Sequence, residues 1–62
     1  MNYIVSVEWS DKDCKWNEEF YKFVELEDAQ EFSNTKADEM RKRDDSGEIR
    51  GFSILIYEVT NY

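Results

Sequence analysis

Between Tyr3 and Trp9 the chain alternates, with Tyr3, Val5, Val7 and Trp9 in one phase and Ile4, Ser6 and Glu8 in the other. A period of two with one apolar face predicts a β-strand. Ser10, Asp11, Lys12 and Asp13 are turn formers and predict a hairpin. Trp16 to Leu26 predicts a second strand, with Trp16, Phe20 and Val24 on one face and Tyr21 and Phe23 on the other. The two phases conflict, and a bulge near Phe20 would reconcile them.

The period then changes. Ala29, Phe32, Ala37 and Met40 recur at helical spacing and predict a buried stripe. Asp28 is the predicted N-cap, with Glu31 completing a capping box. Glu27, Asp28 and Glu31 at the start and Arg41, Lys42 and Arg43 at the end suit the helix dipole. Asp44, Asp45, Ser46 and Gly47 predict its stop. Gly51 to Thr60 predicts the last strand, with Phe52, Ile54 and Ile56 on one face and Leu55, Tyr57 and Val59 on the other.

These elements predict one α+β domain over residues 1–62, of ββαβ type. Its three-stranded antiparallel sheet has the order 2-1-3, by the right-handed crossover rule, with one helix on one face. One helix covers one face of such a sheet. The last strand is apolar on both faces, and Trp16, Phe20 or Tyr21 would share the uncovered one. A homodimer is therefore expected, with sheets packed together or joined at an edge. A loop or terminus folded over the patch is the plainer alternative.

Composition narrows the chemistry. The chain has 62 residues, one cysteine and no histidine. No intrachain disulfide can form, and zinc ligands are too few. A lone cysteine suits a reducing compartment, and no signal peptide or long apolar run is visible, so a cytoplasmic location in a host cell and no membrane partner are expected. Catalysis is not expected: there is no histidine base, phosphate loop or metal-ligand spacing. Cys14 lies between Asp13 and Lys15, a weak setting for a nucleophile. The run from Asp11 to Glu19 lacks the glycine of a calcium loop. No metal or cofactor is expected.

The net charge is −7. Nine acids and three bases lie in Met1 to Glu31, against six and five in Phe32 to Tyr62. Such a field repels nucleic acid and attracts basic surfaces, and it also confers solubility. Arg41 to Arg43, beside Asp44 and Asp45, suits a helix end better than a nucleic-acid site, so no direct nucleic-acid binding is expected. Glu27 and Glu31 stand about 6 Å apart along a helix axis, which approaches the phosphate spacing of one strand. Glu25, Asp11, Asp13 and Glu18 would extend that row if they share a rim. A solvated face is the plainer reading of each pair.

In element order, size, acidity and aromatic content, the chain resembles the small dimeric phage proteins that inhibit uracil-DNA glycosylase. The string Phe32-Ser-Asn-Thr-Lys-Ala-Asp-Glu39 is similar to the helix of that group, with an added lysine and a different spacing from the aromatic. The resemblance implies DNA mimicry and makes Phe32 the candidate apolar plug; burial under the helix is its other reading. The architecture would suit other phage inhibitors of host defence as well, anti-CRISPR proteins among them. The expected function is thus a small, phage-encoded inhibitor. It would bind a host protein with a basic nucleic-acid-binding surface through Asp11, Asp13, Glu18, Glu25, Glu27, Glu31 and Phe32. The alternative is a homodimeric assembly or regulatory module whose acids only confer solubility.

Overall fold

A computed structural model describes residues 2–60. Three strands and one helix follow in the order β1 (Asn2–Asp11), β2 (Trp16–Phe23), α1 (Leu26–Asp45) and β3 (Ile49–Val59). The sheet is antiparallel with order β2-β1-β3, and α1 packs on one face. This is the expected α+β architecture.

In β1 the apolar phase points to the helix. Val5 and Val7 are fully buried with Ala29 and Met40 of α1 and Ile49 of β3. Tyr3, Trp9, Tyr21, Phe23, Phe32, Phe52 and Ile54 pack around them. The helical stripe is thus the expected one, with Phe32 and Ala37 half-buried. At 20 residues α1 spans about 30 Å, nearly the length of the strands it crosses. Near its end the Arg43 guanidinium lies 5.6 Å from the Trp9 ring centre and donates to the Met40 sulfur at 3.6 Å.

Several expectations change. Strand β2 ends at Phe23, not Leu26, because its last pairing is with Tyr3, near the start of β1. No bulge occurs at Phe20; the β1–β2 register is continuous, and the irregularity falls at Ser10/Asp11 against β3. Ser10 and Asp11 belong to β1, so the turn is shorter and later than expected. The hairpin closes through Cys14 N–H to Asp11 C=O at 3.0 Å and Asp11 N–H to Lys15 C=O at 2.9 Å. Cys14 takes the left-handed conformation, φ 65°, that three-residue hairpin loops place at this position.

Asp28 is not the N-cap. Glu25 is, in an extended conformation and without a side-chain cap bond. Leu26 and Glu27 are good helix formers, so the helix starts as soon as the chain leaves the sheet. Asp28 then sits in the first turn, where its charge still complements the dipole. At the other end Asp44 and Asp45 are helical, not terminating. Gly47, with φ 82°, reverses the chain: its N–H bonds to Asp44 C=O, and Glu48 N–H to Arg43 C=O, both at 3.0 Å. This is the Schellman arrangement. The Glu48 carboxylate and Arg43 guanidinium pair across it. Strand β3 begins at Ile49, earlier than the expected Gly51.

The Ser33 hydroxyl is buried and has no hydrogen-bond partner among the described residues. An unsatisfied hydroxyl opposes folding, and alanine is the better helix former. Ser33→Ala should therefore stabilise the domain by roughly 1 kcal/mol, a rise of about 4–8 °C in Tm by calorimetry.

Candidate functional site

Alternation along paired strands decides which side chains share the uncovered sheet face. The register sets Lys22, Ile4 and Tyr57 in one row, Phe20, Ser6 and Leu55 in the next, then Glu18, Glu8 and Ser53. Trp16 lies beyond them, opposite Ser10. Trp16 is 70% exposed, Phe20 59%, Leu55 48% and Tyr57 48%. Ser6 between Phe20 and Leu55 is nevertheless 2% exposed, because its larger neighbours flank it.

Glu8 and Glu18 stand directly opposite each other on this face. Like charges in that position destabilise a sheet. The hydrogen bond with Glu8, with some burial and the Glu8 charge added, holds the Glu18 carboxyl above the usual carboxylate range. The folded state therefore binds this proton more tightly than the unfolded chain does. The pair opposes folding when both groups are ionised, and acidification through the raised pKa relieves it.

A second feature is the corner where β2 passes into α1. Val24 is 67% exposed and Leu26 42%, in alternation with the exposed Glu25, Glu27 and Asp28. Glu31 follows one turn on. Phe32 turns inward, its ring centre 4.5 Å from that of Tyr21 and 5.2 Å from that of Phe23. With Asp28, Glu31 and Thr35 it lines a shallow concavity. Beside it, Lys36 bonds Glu39 at 2.8 Å and approaches Glu19 at 3.9 Å, while the Tyr21 hydroxyl donates to Glu19 at 2.9 Å. The Glu39 contact raises the Lys36 pKa and lowers that of Glu39. These pairs tie the helix to the β2 edge.

The seven candidate residues thus fall into three places. Glu25, Glu27, Glu31 and Phe32 come together at the corner. Asp11 and Asp13 lie at the hairpin tip, about eight residues or ~26 Å along β1 from it. Glu18 lies on the face away from the helix. Asp11 is also engaged: its carboxylate accepts from the Asp13 N–H at 2.9 Å and the Lys15 N–H at 3.0 Å. The Lys15 bond, aided by the Asp13 bond, holds its pKa below the usual value. The support it lends the turn is complete above its unfolded pKa and is lost as pH falls through the lowered folded value.

Sequence reasoning missed Glu8, Val24 and Leu26 as surface features. The alternation of Val24 and Leu26 with acids was visible, but it was absorbed into a strand. Among the described residues no group of three or more acids and cysteines is placed to hold a metal ion, and no helix is long and apolar enough to cross a membrane. Searches against known proteins match the chain to no family model, no curated protein and no solved structure.

Proposed function

We propose that this chain acts by binding, as a small inhibitor that occupies the basic nucleic-acid-binding surface of another protein. Such a role belongs to a phage-encoded protein directed at a host repair or defence enzyme. The observation that carries the reading is the corner: Val24 and Leu26 stand exposed amid Glu25, Glu27, Asp28 and Glu31. Acids on a fixed helical frame steer a basic surface, and two apolar side chains among them supply desolvated contact. Asp11, Asp13 and Glu18 lie elsewhere and add only to the long-range field. The extended uncovered sheet face favours a second role, self-assembly, which is compatible with the first.

Affinity capture from a bacterial lysate, followed by competition, tests the reading. The wild-type chain should retain a basic nucleic-acid enzyme, and added DNA or RNA should release it. Glu27→Lys with Glu31→Lys should slow association and lose the capture, while the fold survives because both positions are exposed. Asp44→Asn with Asp45→Asn, at the far helix end, should have little effect. Association should weaken with salt, since exposed charges are screened over about 8–10 Å. If nucleic acid and this chain bind the captured enzyme together, with no mutual loss of affinity, the mimicry is refuted.

A further inference from the structure

The uncovered sheet face holds its charges in a pattern that selects one occupant. In the three central rows of this face the charged residues are Glu8, Glu18 and Lys22, and Arg50 stands at the irregularity at its hairpin end. The carboxylates lie one row to one side of the Ser6 row and the lysine one row to the other. The rest of those rows is Ile4, Ser6, Phe20, Leu55, Tyr57 and Ser53, with Trp16 at one end of the face and Val59 at the other.

We propose that this face packs on the same face of a second copy, about a two-fold axis that runs across the strands over Ser6. That operation lays the row of Lys22 and Ile4 over the row of Glu18 and Glu8 of the other copy. Each Lys22 ammonium then meets a Glu8–Glu18 carboxylate pair, and the like-charge conflict within each chain gains a cation from the other. Phe20 meets Phe20 and Leu55 meets Leu55 beside the axis. Aligned sheets cross at about 30° and pack about 10 Å apart, a mismatch that a lysine side chain can span. A two-fold axis along the strands would instead stack Glu8 on Glu8, so the charges distinguish the two arrangements.

The area is sufficient. Exposed portions of Trp16, Phe20, Leu55 and Tyr57 offer on the order of 400–500 Å² per copy, given 150–250 Å² for an aromatic side chain. With Ile4, Val59 and the strands between them, two copies reach roughly the 1,200 Å² at which stable interfaces begin. The contact is self-complementary, as a two-fold interface must be. It stands apart from the acidic corner and does not depend on the inhibitor reading.

Sedimentation equilibrium at micromolar to millimolar concentration, with circular dichroism as the control for folding, tests the arrangement. The wild-type chain should give twice its 7.5 kDa mass. Phe20→Asp should give a folded monomer. Glu18→Lys and Lys22→Glu should each weaken the dimer about ten-fold or more, and the double variant should lie closer to the wild type than either single one. A wild-type monomer throughout that range overturns the proposal. So does a Phe20→Asp dimer of unchanged affinity, which would place the contact at a sheet edge or on the helix. Should Phe20→Asp fail to fold, the charge exchange decides alone: a double variant weaker than both singles overturns the pairing.

Discussion

Met40→Ala should remove a large share of the domain's stability. Met40 is the largest of the side chains that are fully buried, and it closes the core between α1 and the sheet beside Val5, Val7 and Ile49. Truncating such a methionine costs about 2–5 kcal/mol, because lost transfer energy is joined by an unfilled cavity. A domain of 62 residues has on the order of 3–9 kcal/mol to lose. The Arg43 guanidinium would also lose the sulfur it touches, loosening its contact with Trp9. Urea denaturation should show a midpoint shifted towards zero, while Met40→Leu, nearly equal in volume, should cost less than about 1.5 kcal/mol. A Met40→Ala loss below about 1 kcal/mol would mean that the core does not close around this residue.

Phe32→Ala is the next largest expected effect, and it separates two roles for one ring. The ring leans on Tyr21 and Phe23 but is only half-buried, so the loss should be about 2–3 kcal/mol, below the 3–5 of a fully enclosed phenylalanine. Phe32→Leu should recover most of it. Stability and partner affinity are to be measured together on the soluble fraction. Large destabilisation with intact affinity assigns Phe32 to packing beneath the concavity. A loss under about 1 kcal/mol with abolished affinity assigns it instead to direct contact with the partner.

The order and type of every element were legible, β1 and the helix from their periods of two and 3.6 and the other strands from their aromatic and β-branched content. The two faces of β2 were legible too, with Trp16 and Phe20 on one and Tyr21 and Phe23 on the other; which of them meets the helix was not, and the reason is the centre of one turn. A turn over Ser10 to Asp13 is centred between Asp11 and Lys12, which would pair each core position of β1 with an outward position of β2. The actual loop is centred on Asp13 and sets Tyr3 against Phe23 and Ser10 against Trp16. A shift of that parity moves every side chain to the other face; no bulge is needed because Trp16 and Phe20 simply stay exposed while Tyr21 and Phe23 pack inward. Placing Cys14 in a left-handed conformation was the missing step, and cysteine gives little warning of one. The helix start was misplaced for a related reason. Asp28 has capping chemistry, but the cap falls where the sheet stops offering β2 a partner, which is a tertiary fact. Of the candidate site, the acidic corner was legible as composition, whereas its separation from Asp11, Asp13 and Glu18 needed the register.

The central place of β1 sets an order on how the chain can assemble. One edge of β1 meets β2 across a three-residue loop, a closure of the microsecond class. The other edge meets β3, with Asn2 against Val59, and that pairing spans nearly the whole sequence. Distant pairings carry the larger loop-closure entropy and come late. On a ribosome, the inner edge of β1 would therefore stand open through the synthesis of the entire helix. Its row of unpaired amides, flanked by Val5 and Val7, is then a template for the wrong strand. The acids dense in the first half of the sequence would repel neighbouring nascent chains during that interval, an effect of negative charge that requires no target.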